Sequence, residues 1–471
     1  MSISRRYFLK QASAFTLGFS GLQLVMNSGP GFSTVFRQNS DGFGPLIEDP
    51  NGIFDLPEGF SYRIISEFGE TMDDGFRLPS SPDGMAAFPG PYNTTVIVRN
   101  HEVDDDASGA EGPFFSVEEP NLFENVDRGL VYDTGNGYPA LGGTTNVVFD
   151  TSTQEVISQH LSLAGTLRNC AGGPTPWNTW ITCEETVLRA NDRYEVDHGY
   201  VFEVPASHRP GLAKAIPIKE MGRFNHEAVA VDPDSGVVYL TEDRDDGLLY
   251  RFIPDTKGKL LEGGTLQALA IRDQPGLDTR NWGEERTVEL NEPLDVEWVD
   301  LENIQSPEDD LRLRGFYGRG AARFARGEGM WYGNGVVYFA CTNGGYTEDG
   351  QIWKYTPSSD EATSAEKNNP GILELFVEPN DASVIENADN LTVSPWGDLI
   401  VCEDGSGDDY YKSGGQFMVG ITPEGELYKF GRNGLGDSEL AGATFSPDGS
   451  TLFFNIQGPG LTLAVTGPWQ T

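Results

Sequence analysis

The chain has 471 residues and a net charge of −40, from 72 acidic and 32 basic residues. A surface this acidic repels nucleic acid and anionic lipid, and no apolar stretch after residue 30 is long enough to span a bilayer. The sequence therefore predicts no nucleic-acid partner and no stable membrane insertion. With 58 glycines, 29 prolines and 11% aromatic residues, it favours a turn-rich all-β fold.

The N-terminal residues have the features of an export signal. Residues 4–10 read SRRYFLK, which is the twin-arginine pattern, and a modestly apolar stretch follows from Ala12 to Met26. This pattern predicts transfer of the folded protein by the twin-arginine export machinery to the periplasm or the cell exterior. We expect residues 1–35 to be a signal peptide with a disordered start, and residues 36–471 to form a single domain.

One sequence unit recurs six times along the rest of the chain. Each unit has a small or acidic first residue, a short strand, a turn rich in Pro, Gly, Asp or Asn, and a second strand. The units begin at Asp83, Cys170, Glu227, Glu328, Asp389 and Ala441. Alternating strands around such a turn are typical of a β-hairpin, and lone hairpins are only marginally stable in water, so the six must pack together.

Further strands are predicted between the hairpins, in VVFDTSTQEVISQHL and GQFMVGITPEGELYKFG. Four strands in each of six units predict a six-bladed β-propeller, with a β-sandwich as the structural alternative. Segments 103–140 and 255–320 fit no unit and are expected to be insertions near the channel.

The first residues of the units are expected to form a ring around the central channel, because the innermost strand of each blade lines it. Of these six residues, four are carboxylates and one, Cys170, is a thiol. Facing one another, they would repel and raise each other's pKa, and bound cations relieve that conflict. The sequence therefore predicts a metal cluster in the channel.

Acidic residues at the ends of the second strands are expected near the rim of the channel. They are Glu102, Glu184, Glu185, Glu242, Asp243, Glu403 and Asp404. Some should complete an oxygen shell of the kind calcium prefers. Glu242 and Asp243, in the charged run TEDRDD, are equally compatible with solvated positions.

The cysteines divide into two kinds. Cys183, Cys341 and Cys402 each follow the start of a unit by 13 positions, which predicts one equivalent strand site where a buried thiol packs as a small hydrophobe. Cys170 alone lies at the level of the ring. A thiolate among carboxylates suits a transition metal such as iron, with hard cations on nearby oxygens, but the residue types do not distinguish iron from other transition metals.

Several motifs, in chain order, resemble the PhoX-type family of bacterial alkaline phosphatases. They are SRRYFLK, RNHE at 99–102, GGTTN at 142–146, NCAGGPTPWNTWITCEE at 169–185, MGRFNHEA at 221–228, ARGEGMW at 325–331 and CEDG at 402–405. The resemblance implies an exported propeller that carries a mixed iron–calcium cluster. It also implies release of inorganic phosphate from small phosphomonoesters, with a role in phosphate acquisition.

Carried over residue by residue, the resemblance implies Cys170, Glu227 and Glu328 on the iron side of the cluster. The calcium side would take Asn146, Glu184 or Glu185, Asp389 and Glu403, and the rim adds Glu102 as a candidate metal ligand. The candidate catalytic residues are Arg326, Glu328 and Cys170.

Arg326 would bind the substrate phosphate through two hydrogen bonds of its planar guanidinium. A structural salt bridge to a ring carboxylate is the alternative role. On a strand, Arg326 and Glu328 would point to the same face, since they are two residues apart.

Two other functions remain open from the residues alone. A calcium-dependent propeller lactonase or esterase could use a similar channel, but it would not need Cys170 or Arg326. A non-catalytic exported propeller could keep metals for stability. We expect the protein to be a monomer.

Overall fold

The computed structural model describes residues 42–115, 121–404 and 415–470. The predicted signal peptide lies outside the described residues. Within them, regular structure is almost entirely β-strand, and the one α-helix, α1, is Leu311–Arg319. No helix in these ranges is long and apolar enough to cross a membrane.

The strands and the short 3-10 helices follow one another along the whole described chain. In chain order the strands are β1 Leu46–Ile47, β2 Phe54–Pro57, β3 Ser61–Glu67, β4 Pro82–Pro89, β5 Thr95–His101, β6 Gly142–Asp150, β7 Glu155–Thr166, β8 Asn169–Pro174, β9 Thr179–Glu184, β10 Val201–Pro205, β11 His226–Val231, β12 Val238–Glu242, β13 Gly247–Leu248, β14 Tyr250–Pro254, β15 Gly264–Ile271, β16 Leu294–Asp300, β17 Arg323–Phe324, β18 Gly327–Gly333, β19 Val336–Cys341, β20 Gln351–Thr356, β21 Ile372–Val377, β22 Ala388–Val393, β23 Leu399–Glu403, β24 Phe417–Ile421, β25 Leu427–Asn433, β26 Leu440–Phe445, β27 Leu452–Ile456 and β28 Leu461–Thr466. The 3-10 helices are Pro91–Asn93, Gly109–Glu111, Leu122–Asn125, Lys219–Met221, Leu260–Glu262 and Glu366–Asn368.

All six predicted hairpins are present as antiparallel strand pairs. They are β4–β5, β8–β9, β11–β12, β18–β19, β22–β23 and β26–β27. The two intervening stretches also form strands as predicted, because β6 and β7 follow β5 in one sheet, and β24 and β25 follow β23 in another. The last sheet is completed by β3 from the beginning of the described chain, which pairs with β28.

The first strands of the six hairpins contact one another in a closed circle. The order is β4, β8, β11, β18, β22 and β26, which returns to β4. A closed circle of inner strands with sheets extending outward is a propeller-like arrangement, so the all-β prediction is confirmed.

The sheets do not divide into six separate units of four strands. One sheet has nine strands, because β15 continues through β16 into β21 and thereby connects the third and fourth hairpins. Another has six strands, since β2 and β1 extend it beyond β25, and the sheet of the second hairpin has three. Segment 255–320, which was expected to be an insertion, supplies β15 and β16. The hairpin repeat does not extend to these strands, so it could not predict them.

Each first strand breaks register with its partner near the predicted ring residue. The register shifts lie between Pro82 and Met85, Asn169 and Gly172, His226 and Val229, Gly327 and Met330, Ala388 and Leu391, and Ala441 and Thr444. Such β-bulges bend a strand and re-aim a side chain. In the first five hairpins the ring residue lies within the bulge, which turns it out of the sheet and toward the channel, whereas Ala441 in the sixth still pairs with Asn455.

The three packing cysteines are buried and free, but they do not share one strand position, so that part of the prediction is wrong. Cys183 and Cys402 lie opposite the bulge of the first strand. Cys341 pairs directly with Gly327, a position that is a glutamate in the second and fifth hairpins. The fourth hairpin closes around only two residues, Asn334–Gly335. Because this turn is shorter, the residue 13 positions after the start of the unit lies one position further along the second strand.

Candidate metal centre at the channel mouth

Ring residues and second-strand ends meet at one end of the channel, which we call the mouth. There, two groups of buried ligand atoms share Glu227. One group is Cys170, Glu185 and Glu227, and the other is Glu227, Glu328 and Asp389. Within each group, one ligand atom of each residue lies within 4.8 Å of the others. The structure thus brings together four of the predicted ring residues, with Glu185 from the rim.

A third group joins Asp83 and Glu102 to Glu439. One carboxylate oxygen of Asp83, Oδ1, is buried without a hydrogen-bond partner among the described residues. Its Oδ2 accepts a hydrogen bond of 3.0 Å from Gln457, which also donates to Glu102. Ala441, the sixth ring residue, has no ligand atom, and Glu439 supplies the carboxylate of that unit instead.

Four carboxyl groups at the mouth have raised pKa values. Burial, followed by repulsion from neighbouring carboxylates, raises the pKa of Asp83, Glu227 and Glu328 well above the ordinary value. The same causes raise the pKa of Asp389 to about 7. Burial and the nearby Glu227 raise the pKa of the Cys170 thiol. A cation bound among these groups would favour their charged forms, which is the chemistry expected of metal ligands.

A sixfold backbone pattern builds the mouth. In every unit the residue two positions before the ring, here called the entry residue, accepts a hydrogen bond through its carbonyl oxygen. The donor is the N–H of a residue at or just after the end of the second strand, here called the exit residue, at 2.8–3.2 Å. The entry residues are Ser81, Arg168, Asn225, Arg326, Asn387 and Glu439, and the exit residues are Glu102, Glu185, Asp243, Thr342, Asp404 and Gln457.

Arg326 is an entry residue and makes two ion pairs at the mouth. Its Nε and Nη2 donate to the two carboxylate oxygens of Asp243 at 2.8 and 3.0 Å, and Nη2 also donates to Glu328 Oε1 at 2.9 Å. The prediction that Arg326 and Glu328 point to the same face assumed that both lie on a strand, which is wrong for Arg326. It precedes β18 and has a φ of 50°. It reaches the same region as Glu328 because this left-handed turn directs the chain into the bulged strand.

Two predicted calcium ligands lie outside the groups of ligand atoms. Glu184 accepts hydrogen bonds from the backbone N–H groups of Leu167, Gly199 and Tyr200 and from His198 Nδ1. Glu403 accepts from the backbone N–H groups of Glu386 and Phe417 and from Lys429 Nζ. Neighbouring residues of a strand point to opposite faces, so Glu184 faces away from Glu185, and Glu403 faces away from Asp404. Both carboxylates stabilise the surrounding loops, and neither belongs to a candidate metal group.

A third predicted calcium ligand, Asn146, has a buried side-chain oxygen without a hydrogen-bond partner among the described residues, but it does not lie on an inner strand. It is on β6, the third strand of its sheet and not the innermost, and its Nδ2 donates to the carbonyls of Pro205 and Ser207. Glu242 and Asp243 are not solvated. Glu242 is buried and accepts from the Tyr250 hydroxyl at 2.6 Å, and Asp243 pairs with Arg326.

A sequence profile described as "Alkaline phosphatase PhoX" matches residues 41–155 and 139–460. The chain belongs to the PhoX alkaline phosphatase family. It is therefore a phosphatase, and the family to which it belongs is metal-dependent. No curated protein sequence matches the chain.

The structure of Pseudomonas fluorescens PhoX supports the fold of this PhoX-family chain. The structure of Pseudomonas fluorescens PhoX in complex with vanadate, described as a transition state analogue, superposes with a TM-score of 0.61 at 19% identity, covering 88% of this chain and 96% of that one. A gluconolactonase from Xanthomonas campestris reaches only 0.40 at 11% identity, covering 90% and 98% of the two chains. A putative 6-phosphogluconolactonase from Bacteroides uniformis reaches 0.36 at 13% identity, covering 84% and 89%.

Sequence reasoning missed several residues of this PhoX-family mouth, although a signal was present. Arg168 and Glu439 each stand two positions before a ring residue, as Arg326 does. Asn225 is in the same place in the third unit, where it donates to Glu185 Oε1 at 3.0 Å. An alignment of the six units that begins two positions before their first residues would have identified Arg168, Asn225 and Glu439.

Proposed function

We propose that the channel mouth is the active centre at which this phosphatase hydrolyses small phosphomonoesters. The observation that carries the proposal is the pair of ligand groups sharing Glu227, with the Arg326 guanidinium 2.9 Å from Glu328 at their edge. Phosphoryl transfer requires positive charge around the equatorial oxygens of the phosphoryl group. A mouth lined by carboxylates can provide that charge only when cations are bound there.

The residues present fit a mixed metal cluster. We assign the group of Cys170, Glu185 and Glu227 to iron, because a thiolate among carboxylates suits a transition metal, and the all-oxygen group of Glu227, Glu328 and Asp389 to calcium. The resemblance implied Glu328 on the iron side, but its ligand atom is grouped with Asp389 and not with Cys170. The unpaired, buried Asp83 Oδ1 supports an additional cation beside Glu102 and Glu439. When bound, the metals would polarise the phosphoryl oxygens and neutralise their charge.

Arg326 is the residue that we assign to substrate phosphate. Its side chain is 31% exposed, and its Nη1 takes no part in the ion pairs with Asp243 and Glu328. Those ion pairs fix the guanidinium plane, so it meets the phosphate without losing further side-chain freedom. Glu328 connects the two functions, as a metal ligand whose carboxylate also orients Arg326.

We further propose a single six-bladed domain over residues 36–471, present as a monomer. The closed circle of six first strands supports the blade count, with β16 joining the edges of two blades. The motif SRRYFLK supports export by the twin-arginine machinery to the periplasm or cell exterior.

Metal analysis combined with two substrate assays tests the function. Purified protein is assayed with p-nitrophenyl phosphate and with a lactone, before and after chelation. We expect phosphatase activity that disappears on chelation and returns with iron and calcium together, and no lactone hydrolysis. Lactone hydrolysis without phosphatase activity would favour the lactonase. A metal-loaded protein that is inactive on both substrates would favour the non-catalytic exported propeller.

A further inference from the structure

Arg168 occupies in the second unit the place that Arg326 occupies in the fourth. Both are entry residues, and both have left-handed backbones, with φ of 44° and 50°. The carbonyl of each accepts the N–H of its exit residue, Glu185 for Arg168 and Thr342 for Arg326. The two guanidinium groups therefore leave the backbone at equivalent points of the sixfold mouth.

The contacts of Arg168 also resemble those of Arg326. Its Nη2 donates to Glu102 Oε1 at 2.8 Å and to Glu185 Oε2 at 2.6 Å, so it bridges two carboxylates as Arg326 does. Its Nε is buried without a hydrogen-bond partner among the described residues, 3.6 Å from Asp104 Oδ1, and its Nη1 takes no part in the hydrogen bonds to Glu102 and Glu185. The guanidinium thus keeps donor capacity beyond its two ion pairs.

The two arginines border the same pair of metal-ligand groups. Arg168 pairs with Glu185, which belongs to the group with Cys170, and Arg326 pairs with Glu328, which belongs to the neighbouring group. Glu227 is common to both groups. Burial, followed by repulsion from Glu102 and Asp243, raises the pKa of Glu185, so the carboxylate paired with Arg168 lies near the one paired with Arg326. A phosphoryl group bound over the shared Glu227 would lie between the two arginines.

Exposure separates these two arginines from the packing arginines of the protein. The side chains of Arg168 and Arg326 are 35% and 31% exposed. By contrast, Arg99, Arg223 and Arg251 are almost completely buried, with their donors directed at protein oxygens. An anion arriving from solvent can therefore reach both Arg168 and Arg326.

We propose that Arg168 is a second substrate-binding arginine, which holds the phosphoryl group together with Arg326 and favours dianionic monoesters over monoanionic diesters. This inference rests on the proposed function of the mouth. A monoester phosphate carries two negative charges and three terminal oxygens, enough to engage two guanidinium groups, whereas a diester has one charge and two such oxygens. Loss of Arg168 therefore weakens monoester binding more than diester binding.

The test compares Arg168→Met with Arg193→Met, which removes the same charge from a nearby exposed loop. Three quantities are measured: the inhibition constant of inorganic phosphate, kcat/KM for p-nitrophenyl phosphate and bis(p-nitrophenyl) phosphate, and bound iron and calcium. For Arg168→Met we expect the inhibition constant to rise about tenfold to a hundredfold. The ratio of monoester to diester efficiency should fall by a similar factor, with metal content unchanged. Arg193→Met should alter none of these by more than about twofold.

Two results would overturn the proposal. An unchanged inhibition constant and substrate ratio in Arg168→Met would show that the side chain does not meet phosphate. Loss of metal, with kcat/KM falling equally for the monoester and the diester, would show that Arg168 has only a structural role. If Arg168→Met does not fold, Arg168→Lys is tested instead, since it keeps the charge but loses the planar guanidinium. A rise of about threefold to tenfold in the inhibition constant of phosphate would support the proposal. No rise would contradict it. The chelation assay on the parent protein tests the proposed function independently.

Discussion

Arg326 and Glu328 are joined by one ion pair, yet they carry different parts of the proposed chemistry. Glu328 is buried, contributes an oxygen to a ligand group and has a raised pKa, caused first by burial and then by Asp243. Arg326 lies partly exposed at the edge of that group. One residue is therefore placed to hold metal, and the other is placed to meet an anion that arrives from solvent.

We expect Arg326→Ala and Glu328→Gln to fail in different ways. Glu328→Gln removes a charged ligand, so metal content and turnover should fall together. Arg326→Ala should keep its metal and lose about 2–4 kcal/mol of transition-state stabilisation, or roughly 30- to 1000-fold in kcat/KM. Metal analysis and steady-state kinetics on both variants check this. The assignment is wrong if Arg326→Ala retains full efficiency or loses metal as Glu328→Gln does.

Among the elements of the fold, the inner strands matter most to the site because they approach one another very closely. A Cβ atom added at Gly329, on β18, would lie 2.6 Å from both Asn390 Cα and the carbonyl oxygen of Asp389 on β22. Both contacts are with backbone, which cannot move aside as a flexible side chain can. The absence of a side chain at Gly329 therefore determines how closely Glu328 and Asp389, two ligands of one group, can approach each other.

Gly329→Ala is expected to displace β18 from β22 and separate Glu328 from Asp389. Bound metal and melting temperature should both fall, with a loss of stability on the order of 1–3 kcal/mol. Gly318→Ala, in α1, is the matched control because, apart from the adjoining residues and the backbone of the helix itself, no atom lies within 4 Å of the added Cβ. Full metal occupancy in Gly329→Ala would show that the strand spacing does not control the site.

The sequence was informative where structure is local and less so where it depends on distant pairing. The six hairpins could be predicted because strand alternation and turn residues lie within one short window. The pairing of β3 with β28, and of β16 with both β15 and β21, joins segments far apart in the chain or outside the repeat. The contrast between Glu184 and Glu185 depends on which face of β9 each side chain extends from, and this does not follow from residue type.

At the scale of the whole molecule, the acidic composition and the metal-binding mouth are connected. Without cations, the mouth concentrates carboxylates whose pKa values are raised, first by burial and then by one another, as for Asp83 and Glu227. The folded, metal-free chain should therefore hold protons that the unfolded chain has already released. Its stability then depends on pH through these groups.

We expect the chelated protein to become more stable as the pH falls from 8 to about 5.5. The pKa of Asp389 is raised from its ordinary 3.8 to about 7, so the folded state binds more protons than the unfolded state between those values. By linkage, its stabilising contribution is present below the unfolded pKa and is lost as the pH rises through about 7. Thermal unfolding with and without chelator measures this. A chelated protein that is less stable at pH 5.5 than at pH 8 would contradict the expectation.

The most direct test of the metal-dependent active centre measures transition-metal content and p-nitrophenyl phosphate hydrolysis in the same preparations of Cys170→Ser and Cys183→Ser. Cys183 is the matched control, because it is also a buried free thiol in the same apolar cluster but belongs to no group of candidate metal ligands. Cys170→Ser should lose the transition metal and its activity in parallel, whereas Cys183→Ser should keep both and lose about 1 kcal/mol of stability. A Cys170→Ser protein with parental metal content and parental activity would contradict the account.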